Sequence, residues 1–191
     1  MKILVRLNNY QNDLKIDHGN AIFSRYPIKN HQVYFFDLKY AVVDWIKAHK
    51  LNRFEHFPRN MQWIQLKINY KLLNIFNLHG IWGKDGKDNP RRLKMSELIV
   101  DKVKNKEKVI LSGDFNMDPN TKTIHNIEKE LKNVFKNKLK STFNIKYKKD
   151  PIFSKIVVDM IFISRDIKIV EKNCPQVDIS DHLPLIIVLE I

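Results

Sequence analysis

The sequence lacks several features that define common protein classes. It has a single cysteine, Cys174, so it contains neither an internal disulfide nor a cysteine cluster for zinc. No apolar run reaches the roughly 18 residues that a membrane-spanning helix needs, because Lys, Asn or Asp interrupts each one. The N-terminal apolar stretch is broken by Arg6 and precedes no small-residue cleavage site, so it does not read as a signal peptide. These absences predict a cytoplasmic protein without a membrane span.

The residues that are present suit one globular domain. With 191 residues, of which 43% are hydrophobic, the chain is long enough for one substantial core, and we expect a monomeric single domain over 1–191. The net charge of +13 favours binding to polyanions such as nucleic acid. However, 27 of the 34 basic residues are lysines, and an AT-rich coding sequence would produce the same bias. The charge alone does not decide between the two explanations.

Hydrophobic periodicity predicts a series of strands and two or three helices. Alternating or continuous apolar runs favour strands, whereas spacing of three and four residues favours helices. Predicted strands span 19–28, 31–38, 61–68, 72–79, 108–112, 156–164, 167–170 and 183–191. Helices are predicted at 91–104 and 121–135, and segment 39–60 reads as a helix or a covering loop. This order indicates an α+β or layered α/β domain with a mixed sheet.

Polar residues follow the apolar run at 108–112. Asp114 and Asn116 come directly after it, and residues two apart in an extended segment point to the same side. The carboxylate could position a water or a metal ion while the amide donates to a phosphate oxygen. A strand-end turn would explain the same residues without any function.

Asp159 interrupts the apolar run 156–162, where an unpaired carboxylate would be costly to bury. We therefore expect it to have a partner. A histidine would suit, because a carboxylate fixes the tautomer of an imidazole ring and raises its basicity. An ion pair with one of the many lysines is the alternative.

Two further polar positions border predicted strands. Asp181 and His182 precede the last apolar run, which suits a carboxylate on a hard cation and an imidazole on a phosphate. His79 ends its strand just before a loop that carries three of the five glycines. Each position alone is as easily explained by a turn or a surface histidine.

Taken in order, these motifs resemble those of the endonuclease/exonuclease/phosphatase superfamily. The resemblance rests on GNAIFSRYPI at 19–28, NLH at 77–79, GDFN at 113–116, VDMIF at 158–162 and SDHLP at 180–184. It implies a four-layer α/β/β/α sandwich of two mixed sheets, with the site at the strand ends. It also implies a phosphoester substrate, with nucleic acid among the candidates, and a bound Mg²⁺ or Mn²⁺.

The resemblance assigns a role to each polar residue. Asp114 would orient the attacking water and contribute to the metal site, Asn116 would hold a phosphate oxygen, and Asp181 would bind the metal. His182, aligned by Asp159, would stabilise the charge of the transition state from one side. His79 would do so from the other.

The sequence departs from the family pattern at its beginning. Family members carry a metal-binding Glu ahead of the segment that matches 19–28, whereas the first 18 residues here contain no Glu. The interpretation is an N-terminally truncated form of the fold, lacking the first strand, helix and second strand. Two functions remain open: a metal-dependent hydrolase of phosphoester bonds, and a catalytically impaired basic module that binds phosphate groups or nucleic acid.

Overall fold

The structure, a computed structural model, describes residues 5–9, 14–41, 43–44, 50–51 and 54–191. Eleven strands and two α-helices have defined bounds within these residues. The first strands are β1 (Val5–Asn9), β2 (Leu14–His18), β3 (Ile28–Phe35), β4 (Val43–Asp44), β5 (Asn60–Ile68) and β6 (Lys71–His79). The remaining elements are α1 (Pro90–Val103), β7 (Val109–Asp114), α2 (Lys122–Glu128), β8 (Lys132–Asn133), β9 (Asp159–Ile163), β10 (Lys168–Asn173) and β11 (Ile186–Glu190).

The strands form three sheets. The largest has the order β3-β5-β6-β7-β9-β8, in which β6 and β7 are parallel and the other pairs are antiparallel. Strands β10 and β11 form an antiparallel pair, and β1 pairs with β2 and β4. The predicted α+β class with a mixed sheet is confirmed.

Two cores lie on opposite faces of the six-stranded sheet. The helix side is filled by α1 and α2, whose fully buried residues Met95, Ile99, Ile124 and Ile127 pack on the sheet. On the other face, a second cluster contains Ile163 of β9, and residues of β10 and β11 pack against it. Helices, large sheet and second sheet are therefore stacked in layers, as the sandwich prediction requires. Neither helix is long and apolar enough to cross a membrane within the described part of the chain.

The hairpin predicted from 61–68 and 72–79 is confirmed as β5 and β6. Apolar residues alternate along β5, and the register pairs Ile68 with Lys71 across a two-residue turn. Asn69 and Tyr70 in that turn both have positive φ, at 47° and 65°. This conformation matches the twist of the flanking strands and is typical of tight hairpins.

The strand predicted over 19–28 is wrong. Residues 19–27 form no strand, and β3 starts only at Ile28. Side chains hold this segment instead of a backbone ladder: Gln62 Nε2 donates to Asn20 O at 2.8 Å, and Asn77 Nδ2 donates to Ala21 O at 3.2 Å.

The helix predicted over 121–135 is half as long as expected. Helix α2 ends at Glu128, and the chain then turns into β8, which pairs with β9. Leu131 and Val134, at 3% and 2% exposure, are as buried as the helical residues before them. The helical spacing of the apolar residues therefore indicated which residues are buried, but not that the helix is continuous.

Within segment 39–60, residues 42, 45–49 and 52–53 lie outside the described residues, and the described part contains β4 and the first residue of β5.

Helix α2 is capped by a residue distant in sequence. Thr121 at its N-cap makes no side-chain capping bond. Asp88 supplies it: its carboxylate accepts from the Thr123 hydroxyl at 2.7 Å, the Thr123 amide at 2.9 Å and the Lys122 amide at 2.7 Å. Although burial acts to raise the pKa of Asp88, these hydrogen bonds lower it below the ordinary value.

We expect Asp88→Ala to destabilise the fold by about 1–2 kcal/mol, because it leaves two helix amides without a cap. Since the pKa of Asp88 is lowered on folding, its contribution is full above about pH 4 and is lost as the pH falls through the lowered pKa. Urea unfolding at pH 7 and at pH 3 would show a difference from the unmodified protein that shrinks at the lower pH. Asp101→Ala, at an exposed carboxylate on α1, is the matched control, and an equal effect of both substitutions would contradict the capping role.

Candidate functional site

Strand register brings three candidate residues into one row. Parallel pairing of β6 with β7 sets His79 beside Asp114, and antiparallel pairing of β7 with β9 sets Asp114 opposite Asp159. His79 and Asp114 are the last residues of their strands and Asp159 is the first residue of its antiparallel strand, so all three lie at the same edge of the sheet. Residues separated by up to 80 positions in the sequence are thus neighbours because of pairing alone.

Two glycines permit the close approach of the chain at this edge. A Cβ on Gly113 would lie 2.0 Å from Leu78 O, and its φ of 145° is in the region that favours glycine. A Cβ on Gly80 would lie 2.3 Å from Phe115 O. Glycine therefore precedes Asp114 and follows His79 for steric reasons.

Thr142 anchors the segment that carries His182. Its carbonyl oxygen accepts from the Leu183 amide at 2.8 Å, and its buried hydroxyl accepts from the amides of Val158 and Asp159 at 3.1 and 3.2 Å. One threonine thus fixes the backbone on either side of the site. Nothing in the sequence singles out this residue.

Asp114, Asp159 and His182 form a compact cluster. One ligand atom from each lies within 4.8 Å of the other two. His182 Nδ1 is 2.8 Å from Asp159 Oδ2. Because an ionised carboxylate only accepts, Nδ1–H donates to it and the bond fixes the orientation of the ring. The partner of Asp159 is therefore a histidine and not a lysine.

The cluster holds two carboxylates but only one imidazole, so negative charge is in excess. Burial, and then the charge of Asp159, raise the pKa of Asp114 to about 6. Burial alone would lower the pKa of His182, but the hydrogen bond to Asp159 and the nearby negative charges raise it overall. Perturbed pKa values of this kind in a concentrated polar cluster are typical of functional sites.

Asn116 lies beside the cluster, but not by the predicted geometry. Strand β7 ends at Asp114, and Asn116 adopts a left-handed φ of 55°, so the two residues do not share a face of an extended strand. Instead, the Asn116 amide donates to Asp114 Oδ1 at 2.7 Å in a local turn. Asn116 Nδ2 donates to Gly80 O at 3.1 Å, which joins the ends of β6 and β7.

Asp181 is not a member of the three-residue cluster. Its carboxylate pairs with Lys148, with 3.0 Å between Nζ and Oδ2. Its negative charge nevertheless contributes to the raised pKa of His182. A role for Asp181 as a metal ligand would require displacement of the Lys148 ammonium.

Arg59 is a site residue that the sequence did not indicate. It precedes β5, is 9% exposed, and places Nη1 2.8 Å from both ring nitrogens of His79. Burial lowers the pKa of Arg59 to about 10, against the attraction of Asp114. His79 Nε2 in turn lies 3.5 Å from Asp114 Oδ2. Arg59 therefore brings a positive charge to the row of His79 and Asp114.

Arg92 is a further residue near the site that the sequence did not indicate. Its guanidinium is fully buried beneath the loops that follow β6 and β7. Nε donates to Ile81 O at 3.0 Å, and Nη2 donates to Asn116 O at 2.6 Å and Gly83 O at 3.3 Å. Nη1 donates to Lys87 O. One side chain thus holds both loops together.

The layered fold carries an acid–imidazole cluster at one end of its central strands. The sequence model of the endonuclease/exonuclease/phosphatase family matches residues 4–182, and the chain belongs to that family. Members of this family hydrolyse phosphoesters as nucleases and phosphatases. No curated protein matches the chain.

Solved structures share the fold at low identity. A family member from Bacteroides vulgatus is 18% identical with a TM-score of 0.67, and the match covers 87% of this chain and 66% of that one. A mannosyl-6-phosphatase from Bacteroides thetaiotaomicron is 20% identical with a TM-score of 0.67, covering 87% and 67%. TDP2 from D. rerio, complexed with a single-stranded DNA product, is 15% identical with a TM-score of 0.65, covering 87% and 69%. The matched region spans about two thirds of each of these structures.

Proposed function

We propose that this protein hydrolyses phosphoester bonds with a water molecule as the nucleophile. The observation that carries the proposal is the convergence of Asp114, Asp159 and His182 within 4.8 Å at one edge of the sheet. Two carboxylates and an imidazole at this distance supply a proton acceptor and a cationic hydrogen-bond donor to one reacting group.

Each residue has a task that follows from its surroundings. Asp114 is assigned to accept a proton from the attacking water as the general base. His182 is held by Asp159 and carries positive charge to a phosphate oxygen, where negative charge builds up. On the other side, the Arg59 guanidinium donates to a ring nitrogen of His79, so His79 is assigned to donate a neutral N–H to a phosphate oxygen while Arg59 supplies the positive charge. Asn116 closes the end of β7 and is assigned to hold another phosphate oxygen.

Asp114 is the cluster carboxylate that remains available to a divalent cation. Mg²⁺ and Mn²⁺ prefer carboxylate oxygens, and a cation would counteract the burial and the charge of Asp159 that raise the pKa of Asp114. Asp114 would hold the ion, with Asp181 as the second carboxylate once the Lys148 ammonium has moved away. When bound, the ion polarises the phosphate and lowers the pKa of water. The other carboxylate, Asp159, is committed to His182.

Calorimetric titration with Mg²⁺ tests the metal site directly. We expect saturable binding by the unmodified protein and a loss of at least tenfold in affinity for Asp114→Asn, because that substitution removes a charged oxygen ligand. Asp166→Asn is a matched control, since Asp166 lies at the opposite end of β7 beside Lys108. Absence of saturable binding, together with absence of Mg²⁺-dependent hydrolysis of a generic phosphodiester, would remove the hydrolase proposal and leave a phosphate-binding module.

We also infer a cytoplasmic, monomeric enzyme that requires no membrane. The lone cysteine, Cys174, is a free thiol in the structure, as a reducing compartment would allow. Separation of a cytosolic extract and size-exclusion chromatography at micromolar concentration are the direct tests. A stable dimer or a membrane-bound fraction would be the contrary results.

A further inference from the structure

Two cavities adjoin the cluster and share part of their walls. The first, which we name the aromatic cavity, encloses about 280 Å³ and includes Asn116 in its lining. The second, which we name the lysine cavity, encloses about 180 Å³ and includes Asp159. Asp118, Lys155 and Val157 line both. The two cavities are therefore neighbouring parts of one groove that passes the proposed reaction centre.

Aromatic rings from two segments of the chain line the first cavity. Trp82 lies on the loop after β6, while Phe143 and Phe153 lie on the segment between β8 and β9. Phe143 also contacts the ring of His182, with centroids 4.5 Å apart, and Phe153 packs against Phe143 at 4.9 Å. The aromatic surface thus continues from the imidazole of the cluster into the cavity.

The charged residues of the groove favour an anion. Lys84 and Lys155 line the aromatic cavity, and Lys136, Lys140 and Lys155 line the lysine cavity. Lys136 is paired with Glu128 at 2.6 Å, which leaves Lys84, Lys140 and Lys155 to attract the anion. The two non-cluster carboxylates in these walls are already engaged. Asp85 accepts from the Lys87 amide at 3.0 Å and lies 3.6 Å from Arg92, and Asp118 accepts from the Asn120 amide at 2.7 Å.

We propose that the groove binds an unpaired nucleotide segment of the substrate, with a base in the aromatic cavity and a neighbouring phosphate on Lys155. This rests on the proposed hydrolysis at the cluster and names its substrate class as single-stranded nucleic acid. A π-face of any base stacks on aromatic rings, while lysines follow the phosphates. A lipid chain would instead require a groove without lysine and aspartate in its walls, and a base paired in a duplex is not free to enter.

Binding without turnover tests the base site. In EDTA, the affinity of a trinucleotide is compared with that of the same backbone with all bases removed. We expect the unmodified protein to bind the trinucleotide at least about fivefold more tightly, the effect of one stacked base. Phe153→Leu and Trp82→Leu are each expected to lower this ratio, and circular dichroism checks that both variants are folded. Phe23→Leu is the matched control, because Phe23 is 93% exposed and lines neither cavity.

Lys155→Gln tests the phosphate contact. It should weaken binding of both ligands alike and reduce the slope of log affinity against log salt by about 0.7, the value for one phosphate on a single strand. Lys168→Gln, on β10, is the control. An equal affinity of the unmodified protein for both ligands, a ratio unchanged in both aromatic variants, or an unchanged salt slope for Lys155→Gln would overturn the proposal. Because no step depends on hydrolysis, a failure here is separate from a failure of the proposed function.

Discussion

His182→Ala is expected to hydrolyse a generic phosphodiester in Mg²⁺ at least about 100-fold more slowly than the unmodified protein, because the transition state loses its charged donor. Asp159→Asn should cause a loss of similar order. Its amide oxygen can still accept from His182 Nδ1–H, but the charge of the carboxylate 2.8 Å away is lost, so the pKa of His182 falls and the imidazole is less often cationic. Initial rates measured at saturating substrate would show the effect in kcat.

Asp114→Ala is expected to abolish turnover altogether, since this carboxylate serves both the water and the metal ion. All three variants should still unfold cooperatively in urea, because the replaced side chains lie at the sheet edge and not in either core. His125→Ala is the control: its side chain is 51% exposed and lies 4.0 Å from Glu128, away from the cluster. Hydrolysis at the unmodified rate by either His182→Ala or Asp114→Ala would show that the reaction takes place elsewhere.

Arg92→Met is expected to lower the free energy of unfolding by about 3–5 kcal/mol, the usual cost of removing one partner from a buried charged network. It leaves four carbonyl oxygens without their donors, and hydrogen bonds to a charged group contribute about 1.5–3 kcal/mol each when considered singly. Arg92→Lys should recover only part of the loss, because a single ammonium lacks the fork that reaches both loops. Urea unfolding monitored by circular dichroism measures both.

Loss of Arg92 should also reduce activity, because it releases the Asn116 carbonyl and the loop after His79. In the partly stable Arg92→Lys variant we expect kcat to fall while the protein remains folded at 25 °C. Arg165→Met is the control for stability: Arg165 is exposed, and its one long contact, 3.5 Å to Lys129 O, predicts a change within about 0.5 kcal/mol. Equal stability of Arg92→Met and Arg165→Met would show that the buried guanidinium does not hold the loops.

Local patterns predicted the elements whose partners are adjacent in sequence. The β5–β6 hairpin is correct because alternation fixes one buried face and a two-residue turn fixes the register. Helix α1 is correct because Asn89 and Pro90 mark its start, and the Asn89 side chain accepts from the Arg92 amide at 3.0 Å. In both cases the decisive contacts span only a few residues.

Predictions failed where a distant partner decides the conformation. Segment 19–27 is held by the side chains of Gln62 and Asn77, and the chain leaves the helical pattern after Glu128 because β9 offers a backbone partner to β8. The prediction that Asn116 points to the same side as Asp114 requires an extended chain. In the structure Asn116 has a left-handed conformation, which Asp114 and Arg92 stabilise by hydrogen bonds. Apolar spacing reports which residues are buried and carries no information on which atoms satisfy the backbone.

The sequence by itself determined the α+β class, the family resemblance and the identity of the polar residues at strand ends, because these depend on residue type and short-range order. Only the tertiary structure decided that Asp114, Asp159 and His182 meet, that Asp181 pairs with Lys148, and that Arg59, Arg92 and Thr142 support the site. The reason is physical: strand register and long-range hydrogen bonds set distances between residues far apart in the chain, and no local pattern encodes those distances.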